Sequence, residues 1–516
     1  MTIETELKLQ LPLEHGDPGS NAILDRLQSR PHPRGSTRRL KSTYFDTPEC
    51  DLANRGMALR VRESGNRLTQ TLKAPVPGRS GLQVFREYEA ELSGRQPSIL
   101  KIGNRTLAAA LRREIWPRLR PLFETDIERT AWRLPFRGSE IEVALDRGCI
   151  RAGDREEPVR ELEIELKSGP RSALYAAAEE LLEAIPFRVG HNTKAARGYA
   201  LAAGENAQVQ KATVVDLRGA NTAADALERI VAECLAQMQA NEAAILASGD
   251  KEAIHQFRVA LRRLRAVIGA CRDLIDDAIY ATWAIDLRWA LRSFGPARDY
   301  DVFVTETLDQ MLPHIPDEPH LAQFVNAAQA ARAKARRGAI LSLDNPRYAA
   351  MQLHFYRALD SGSWRRGGAG GTLRRSVRAF AASKLRERYK RLRRLGDRWQ
   401  ELSVPELHRL RIQAKKLRYV TTAFSSLFKG KPARRFGERL GGLQDCLGVL
   451  NDGYVGAQLA REIAEIAATN EAVPVAELQR IRGLIEGWHA RAIHDRLGQL
   501  EQVWTEFAKA ERFWRA

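Results

Sequence analysis

Acidic and basic side chains share one face of the first strand that the sequence predicts. In the stretch Glu4-Thr5-Glu6-Leu7-Lys8, the residues Glu4, Glu6 and Lys8 point the same way, because successive side chains of a β-strand alternate between its faces. Carboxylates ligate hard cations such as Mg²⁺, and a lysine ammonium binds phosphate as a point charge. For one strand alone, a solvent-exposed face explains the same pattern. The other predicted strands must therefore distinguish a binding face from a solvated one.

Five more strands predicted in residues 1–200 alternate charged or polar with apolar side chains in the same way. Their charged faces carry, in chain order, Arg60 and Arg62, Thr71 and Lys73, Glu87 and Glu89, Glu142 and Asp146, and Glu161, Glu163 and Glu165. Rows of like charge destabilise an ordinary sheet face. If the antiparallel strands close into a barrel with this face inward, acidic rows can hold a metal ion while basic rows clamp phosphate groups. The sequence therefore predicts a tunnel that binds a metal-bound polyphosphate.

In their order along the chain, these residues resemble the signature of the CYTH family, the triphosphate tunnel metalloenzymes. The matching motifs are ExExK (Glu4 to Lys8), YFDT (Tyr44 to Thr47), LRxR (Leu59 to Arg62), TxK (Thr71 to Lys73), a late ExE pair in RELEIEL, and Lys194 in GHNTKAARGY. The match covers residues 1–200. The resemblance implies an α+β fold, an eight-stranded antiparallel tunnel with flanking helices that hydrolyses or cyclises triphosphates, with Mg²⁺ or Mn²⁺ as cofactor.

The resemblance also implies separate roles for the matching residues. The catalytic residues would be Glu4, Glu6, Lys8, Glu161 and Glu163, and the metal ligands would be Glu4, Glu6, Glu161 and Glu163, with Glu165 as a further candidate. The substrate-binding residues would be Lys8, Arg39, Lys41, Arg60, Arg62, Lys73, Arg129 and Lys194. Two assignments stay open. Glu165 can replace Glu161, and Arg129 competes with Arg133 or forms a salt bridge with Glu128.

The charge of the chain indicates a polyanionic partner. Its 82 Lys and Arg residues exceed its 64 Asp and Glu residues, which gives a formal net charge of +18 over 516 residues. Residues 1–204 carry 33 basic and 28 acidic side chains, and the remainder carries 49 and 36, so the basic excess lies mainly in the second part. This balance is typical of proteins that bind nucleic acid, anionic membrane surfaces or phosphate-rich small molecules.

Composition also limits the cellular setting. No uninterrupted apolar run reaches the ~18–20 residues that a membrane-spanning helix needs. The first residues are acidic, unlike a signal peptide. The five cysteines are scattered without a CxxC pair, which is typical of a reducing compartment and argues against disulfides and zinc. We expect a soluble, cytoplasmic protein that does not enter membranes.

The pattern of apolar residues divides the chain into two domains. Residues 1–204 read as an α+β domain in which strands are interrupted by short helices. Residues 205–222 form a polar linker, and residues 223–516 show only helical periodicity, so the second domain is all-α. A Gly-rich break at residues 361–372 separates two repeats, at about residues 223–360 and 373–516.

The helical region repeats itself. HQFRVALRRLR (255–265) aligns with HRLRIQAKKLR (408–418) at an offset of 153 residues, and the same offset pairs Asp299 with Asp452. Each copy places a basic stripe along one helix face. The stripes are His255, Arg258, Arg262 and Arg265 in the first copy and His408, Arg411, Lys415 and Arg418 in the second. A solvated face is the usual explanation of one such stripe, but its duplication favours a binding surface. The two aspartates would fix an Arg or His of their own bundle.

These duplicated helices resemble the CHAD domain, whose pattern contains paired HxxRxxxRRLR helices. The resemblance covers about residues 223–516, with GPARDYDV and LQDCLGVLND as further marks. It implies a helical domain that binds inorganic polyphosphate along a basic groove. The implied binding residues are His255, Arg258, Arg262, Arg263, Arg265, His408, Arg411, Lys415, Lys416 and Arg418. The sequence shows no aromatic-rich sheet and no base-reading motif, so nucleic acid is not the favoured partner.

Three functional hypotheses follow. The first is metal-dependent hydrolysis of inorganic triphosphate to diphosphate and phosphate in the tunnel, with polyphosphate bound by the helical domain. The second is a non-catalytic polyphosphate-binding protein, which the loss of Glu4, Glu6 or the late ExE pair would have favoured. The third is a tunnel enzyme for an organic triphosphate, either a thiamine triphosphatase or an adenylate cyclase, which needs an additional pocket at the tunnel mouth. The intact motif set favours the first.

Overall fold

The computed structural model describes residues 2–12, 20–27, 34–76, 81–204, 207–315, 320–367, 370–428, 430–470 and 473–515. The chain forms two compact units, Met1–Gln208 with Leu343–Gly362, and Val209–Ser342 with Ser363–Ala516. Within the described ranges, none of the helices has both the length and the apolar character of a membrane span. The five cysteines are free thiols.

An antiparallel sheet of nine strands forms the body of the first unit. The strands are β1 (Thr2–Gln10), β2 (Ser36–Asp46), β3 (Ala58–Ser64), β4 (Arg67–Pro75), β5 (Gln83–Leu92), β6 (Arg120–Phe136), β7 (Ser139–Ala152), β8 (Arg155–Ser168) and β9 (Arg188–Gly190). Their order is β5-β4-β3-β2-β6-β7-β8-β1-β9, and β1 also pairs with β5. The pairing of β1 with β5 closes the first eight strands into a barrel, so the predicted eight-stranded antiparallel tunnel is confirmed.

Alternation along each strand separates apolar from charged side chains. On β3, Leu59 and Val61 are buried in an apolar cluster with Leu111, which lies on the helix Arg105–Arg112 between β5 and β6. Arg60 and Arg62 lie on the other face and line the interior of the barrel. The apolar core of this unit therefore lies between the barrel wall and the surrounding helices, while the charged faces point inward.

The helices surround the barrel and build the second unit. They are α1 (Ser20–Arg26), α2 (Arg105–Arg112), α3 (Ser172–Leu182), α4 (Lys194–Ala203), α5 (Ala223–Ser248), α6 (Lys251–Ala270), α7 (Asp277–Ser293), α8 (Gly295–Val302), α9 (Asp309–Met311), α10 (Leu321–Leu343), α11 (Pro346–Ser361), α12 (Gly370–Leu373), α13 (Val377–Gly396), α14 (Val404–Ala423), α15 (Lys431–Asn470), α16 (Val475–Leu497) and α17 (Leu500–Ala508). A π-helix, Phe303–Leu308, joins α8 to α9.

Helix α4 begins beside the barrel interior because its first turn is capped. The side chain of Thr193 accepts a hydrogen bond from the backbone N–H of Ala196 at 3.0 Å, which satisfies one of the free donors at the helix start. The helix then packs against β6, β7 and β8. As a result, Lys194 is the first helical residue and lies at the tunnel wall.

The second unit shows the predicted duplication. Helices α6 and α14 begin at Lys251 and Val404, an offset of 153 residues, and they pack against each other. One long helix, α15, covers the segment that corresponds to α7 and α8 of the first copy. The duplicated basic motifs therefore lie on neighbouring helices.

The end of the first repeat departs from the predicted boundary. In the second copy, α17 packs against α15, but its counterpart α11 packs against α3 and β9 in the first unit. Arg357 of α11 donates a hydrogen bond to Glu179 of α3 at 2.6 Å. Residues 205–206 of the predicted linker and 368–369 of the predicted Gly-rich break lie outside the described residues.

Candidate active site and basic pocket

A cavity of about 630 Å³ occupies the inside of the barrel. The predicted residues that line it are Glu4, Glu6, Lys8, Arg60, Arg62, Lys73, Arg129, Glu163, Glu165 and Lys194. They come from β1, β3, β4, β6, β8 and the start of α4, so only closure of the barrel brings them together. The arrangement places carboxylates and cations in one enclosed space.

Glu163 is the centre of the buried charge network at one part of this cavity. Its carboxylate is contacted by Lys8, its register partner on β1, and by Arg129. Lys194 Nζ donates to Glu163 Oε1 at 2.9 Å. Burial alone would raise the pKa of Glu163, but Lys194, Lys8 and Arg129 hold it well below its ordinary value. Glu163 therefore stays ionised and fixes three cations around itself.

A second network lies where β1 meets β4 and β5. Lys73 contacts Glu4 and lies 2.9 Å from Glu87 Oε1, with its ammonium 5.5 Å from the centre of the Phe85 ring. Burial would lower the pKa of Lys73, but nearby glutamates, led by Glu6, raise it above its usual value. In the absence of a ligand, the acids and bases of the tunnel neutralise one another.

Arg62 differs from the lysines because its charge is poorly compensated. Burial would also lower the pKa of Arg60, but Tyr44, Glu87 and Glu4 raise it above its ordinary value. The Nε atom of Arg60 is buried and has no hydrogen-bond partner in the described part of the chain. Arg62 Nε donates to Ser42 Oγ at 3.2 Å. Burial, together with the positive fields of Arg60 and Arg129, lowers the pKa of Arg62 to about 9. An anion placed beside these two guanidinium groups would offset the burial of their charges and their mutual repulsion.

The second unit contains a smaller cavity of about 200 Å³ between the two motif helices. It brings together five of the predicted residues, namely His255, Arg258 and Arg262 of α6 and Arg411 and Lys415 of α14. Arg298 and Asp299 of α8 and Asp452 of α15 complete its charged lining. The two basic stripes therefore converge on one site.

Cations outweigh acids in this basic pocket. Arg258 donates to the backbone oxygen of Phe294 at 2.7 Å and to Asp299 at 3.3 Å, so this aspartate does fix an arginine of its own bundle. Burial and the nearby charge of Arg262 lower the pKa of Arg258 to about 10. Burial, Arg411 and Arg262 lower the pKa of Lys415 to about 7. The pocket is thus positively charged and would be stabilised by an anion.

Comparison with known families agrees with both sites. The CYTH domain profile matches residues 2–199, and the CHAD domain profile matches residues 229–461. The chain is a CYTH domain followed by a CHAD domain. The tunnel belongs to the first and the basic pocket to the second.

Individual relatives support the same assignment. The chain is 38 % identical over 173 residues to an inorganic triphosphatase of Haemophilus influenzae, a match that covers 31 % of this chain and 46 % of that protein. The chain therefore spans less than half the length of this relative. It is 26 % identical over 434 residues to an uncharacterised protein of Mycobacterium tuberculosis, covering 79 % of this chain and 80 % of that one.

A solved structure supports the helical fold. The crystal structure of a CHAD domain from the plant Ricinus communis matches with a TM-score of 0.51 and 23 % sequence identity. The match covers 59 % of this chain and 98 % of that chain. At this identity the likeness concerns the fold alone.

The acidic residues of the CYTH domain fit a divalent metal ion. Carboxylate oxygens of Asp146, Glu161 and Glu163 lie within 4.8 Å of one another, a spacing that one hard cation can bridge. Glu4 and Glu6 face the same cavity from β1. All these donors are oxygens, the ligand type that Mg²⁺ and Mn²⁺ prefer. The ammonium of Lys194 contacts all three residues of the first group and lies 2.6 Å from Asp146 Oδ2.

The residues of the two open assignments in the CYTH domain occupy different positions. Glu163 and Glu165 line the cavity, whereas Glu161 is fully buried, does not line it, and contacts Lys194 and Arg197. Burial raises the pKa of Glu165. Arg129 faces the cavity, while Arg133 lies outside and pairs with Glu140 at 2.7 Å.

Two predicted substrate-binding residues do not reach the tunnel. On β2 the residues that line the cavity are Leu40, Ser42 and Tyr44, so Arg39 and Lys41 point outward. Arg39 donates to both carboxylate oxygens of Asp126 on the outer face, at 2.9 and 2.7 Å. Lys41 lies 3.3 Å from Glu124. Both side chains therefore lie outside the tunnel.

In the CHAD domain the pocket excludes part of the predicted set. Arg263 is buried on another face of α6 and donates to the backbone oxygen of Thr213 at 3.1 Å, because one residue along a helix turns the side chain by about 100°. Arg263 therefore does not line the basic pocket. His408 is partly buried near Arg411 without lining the cavity.

The other outlying residues are exposed. Arg265 and Lys416 lie on the surface, and Lys416 has Arg265 and Arg388 among its charged neighbours. Arg418 is exposed and donates to Gln444 at 3.1 Å. These three side chains are outside the enclosed pocket but on the same two helices.

For two residues of these sites, the sequence indicated the region but not the individual side chain. Asp146 binds Arg129 through two hydrogen bonds of 2.7 and 2.6 Å, and its alternation with Leu145 had placed it on the charged face. Arg298 lines the basic pocket, and the GPARDYDV segment that contains it had marked the region. In both cases the surrounding motif indicated a functional region, but a motif does not show which of several neighbouring charged residues faces the site.

Proposed function

We propose that the CYTH domain hydrolyses inorganic triphosphate to diphosphate and phosphate with Mg²⁺ or Mn²⁺, and that the CHAD domain binds inorganic polyphosphate. The observation that carries the first part is the enclosed cavity in which Glu4, Glu6 and Glu163 face Arg60 and Arg62. Such a site pairs metal-ligating oxygens with phosphate-binding guanidinium groups. The similarity of the N-terminal part to an inorganic triphosphatase supports the choice of substrate.

The residues of the tunnel supply binding, orientation and charge. Arg60 and Arg62 hold phosphate oxygens through their planar guanidinium groups, and this fixes the orientation of the triphosphate in the tunnel. Lys8, Lys73 and Arg129 neutralise the charge that spreads over the phosphate oxygens in the transition state. A divalent ion held by the carboxylates would supply Lewis-acid polarisation of the phosphate and a more acidic bound water. The acids keep the cations in place before substrate arrives, so little reorganisation is needed.

The CHAD domain contributes a separate anion site in this proposal. A dianionic phosphate group in the basic pocket would be held by Arg258, Arg262 and Arg411, whose positive charges repel one another in its absence. Neighbouring phosphates of a longer chain would extend toward the exposed cations Arg265 and Lys416. Binding of this kind weakens steeply as salt concentration rises.

One observation favours an organic triphosphate as a second candidate substrate. Besides its charges, the tunnel is lined by Tyr44, Phe85 and Tyr199, and by apolar side chains such as Leu40 and Ile127. Aromatic rings of this kind offer a stacking surface to a base or a thiazolium ring. The sequence had revealed no such surface.

The experiment is release of phosphate from inorganic triphosphate, ATP, thiamine triphosphate and long-chain polyphosphate, with Mg²⁺ or Mn²⁺. It compares the wild type with Glu6→Ala in the tunnel and with Glu128→Ala, an exposed acid on the outer face of β6. We expect metal-dependent release that is fastest from inorganic triphosphate, lost in Glu6→Ala and retained in Glu128→Ala. Faster turnover of ATP or thiamine triphosphate would select the second candidate.

A different result would contradict the proposed hydrolysis. No release above background from any of the four compounds, with polyphosphate still bound, would identify a binding protein. Polyphosphate binding is measured separately by titration at several salt concentrations, with Arg262→Ala as the pocket variant and Arg272→Ala, an exposed arginine elsewhere in the same unit, as its control. Equal affinity of the two variants would remove the basic pocket from the binding site.

A further inference from the structure

Lys415 is unusual among the cations of the basic pocket because it is an amine surrounded by guanidinium groups. It shares the cavity of about 200 Å³ with Arg258, Arg262 and Arg411. Asp452 also lines the cavity, but its negative charge is outweighed at Lys415 by burial and by the arginines. The arginines remain charged at all physiological pH values, so they can hold a phosphate group while a fraction of the amine is uncharged.

We propose that Lys415 is a site of covalent acylation by small acyl phosphates. The pocket binds the phosphate group of the reagent through Arg262 and Arg411, and this places the adjoining acyl carbon beside Nζ of Lys415. Such an arrangement makes the reaction intramolecular in effect, because the electrophile is held at the nucleophile rather than meeting it by diffusion.

The chemistry needs only groups present in the pocket and the reagent. The lone pair of the neutral Lys415 amine attacks the acyl carbon, a C–N bond forms, and the C–O bond to phosphate breaks. Phosphate leaves with the electron pair and takes the proton that the amine loses, so the products are an N-acyl-lysine and hydrogen phosphate. No metal, oxidant or reductant takes part.

The amine is suited to this step by its surroundings. A lysine placed beside other cations and removed from water is an activated nucleophile, because its neutral form is favoured. Burial together with Arg411 and Arg262 holds the pKa of Lys415 near neutrality, at about 7. The negative charge of the bound reagent raises this pKa, so attack comes from the fraction of the amine that is neutral in the complex, and the rate increases with pH.

Lys416 provides an internal control on the same helix. It is the next residue, it also has arginines nearby, and burial lowers its pKa, yet it is exposed and does not line the cavity. A reagent that reacts with any lysine close to arginines would modify both Lys415 and Lys416. A reagent held by the pocket would modify Lys415 alone.

The experiment treats the full-length protein with acetyl phosphate at pH 7.5 and follows both lysines by fragment-ion mass spectrometry. We expect Lys415 to be acetylated at least about tenfold faster than Lys416, since the lower pKa and the held reagent both favour it. Excess inorganic triphosphate should slow the reaction at Lys415 without changing that at Lys416. Equal rates at the two lysines, or no protection by triphosphate, would overturn the proposal.

Two further measurements separate this inference from polyphosphate binding. Arg411→Gln should lower the rate at Lys415 without altering that at Lys416, and the protection experiment needs no variant if Arg411→Gln fails to fold. If the untreated protein binds polyphosphate, acetylation of Lys415 should weaken that binding, whereas Lys415→Arg should retain it. A protein that is acetylated selectively but never binds polyphosphate would refute the proposed function of the CHAD domain and leave the acylation site intact.

Discussion

Lys194 and Glu163 meet at the wall of the tunnel, with Nζ 2.9 Å from Oε1, although they are 31 positions apart in the chain. Lys194 also contacts Asp146 and Glu161, so one ammonium holds three carboxylates together. Fixed charges of this kind are oriented by folding, before any substrate binds, and this preorganisation is what lowers the cost of stabilising a charged transition state. The contact depends on the cap that starts α4 at Lys194.

Removal of the charge at the centre of this network should destabilise the barrel. We expect Glu163→Gln to lower the free energy of unfolding by about 3 kcal/mol, because Lys8, Arg129 and Lys194 would lose their shared buried counter-ion. The measurement is denaturant unfolding of the full chain. Inorganic triphosphate should restore part of the loss, since its oxygens replace the missing carboxylate. Glu128→Gln, on the exposed outer face, serves as the control, and equal stability of both variants would contradict the prediction.

Arginines on opposite faces of the barrel wall should differ sharply in their effect on catalysis. Arg62 lines the cavity, whereas the Arg39 side chain is 79 % exposed on the outer face. We expect Arg62→Ala to lower kcat/KM for the substrate at least about 100-fold, as for other lost donors to a developing charge. Arg39→Ala should change it less than about twofold, because only a surface ion pair is lost. Comparable losses in the two variants would place the substrate elsewhere.

Polyphosphate affinity of the CHAD domain should fall as pH rises above neutrality. The free pocket holds Lys415 with a pKa of about 7, lowered by burial and by Arg411 and Arg262. A bound polyanion favours the charged amine and raises this pKa, so binding takes up a proton. The affinity is then highest below pH 7 and declines by up to about tenfold per pH unit until the raised pKa is passed.

A matched variant isolates this effect. Lys415→Arg keeps its charge over the whole range, so its affinity should stay nearly constant between pH 7 and pH 8.5. The pKa values of His255 and His408 are lowered by burial and by nearby cations, so their titration lies below this window. The measurement is the affinity for polyphosphate of both proteins, obtained by titration at several pH values in this range. The same pH dependence in both would show that Lys415 does not titrate there.

Two glycines of α15 should respond in opposite directions to the same substitution. A Cβ at Gly456 would lie 2.3 Å from Nε2 of His489, which is itself buried. A Cβ at Gly437 meets nothing within 4 Å. We expect Gly456→Ala to destabilise the helical unit by about 1–3 kcal/mol through overpacking. Gly437→Ala should stabilise it by about 0.5–1 kcal/mol, because alanine favours the helix. Thermal unfolding of the two variants measures the difference, and stabilisation by both would mean that His489 moves aside freely.

The sequence by itself determined the architecture and most of the tunnel. Alternation such as that of Leu59, Arg60, Val61 and Arg62 reflects a physical requirement, since one face of each strand must be apolar to pack under the helices. The order of motifs then fixed the identity of the charged liners, and the offset of 153 residues fixed the duplication of the helical domain.

Tertiary structure decided which of several equivalent charges reach a site. Strand β2 carries basic residues on both faces, Arg38 and Arg39, so its pattern does not say which face turns inward. Pairing with β3 and β6 settled this and sent Arg39 and Lys41 to the outside. In RELEIEL the three glutamates share one face, and the contacts of Glu161 with Lys194 and Arg197 distinguish it from Glu165.

The same limit applies to the helices. Arg262 and Arg263 are adjacent in a basic run, and a turn of about 100° between them decides that one lines the pocket and the other binds the backbone of Thr213. Helix α11 has the periodicity of its repeat counterpart α17, yet it packs in the other unit. Local sequence specifies a helix and its apolar face, but the partner of that face depends on surfaces that exist only after the rest of the chain has folded.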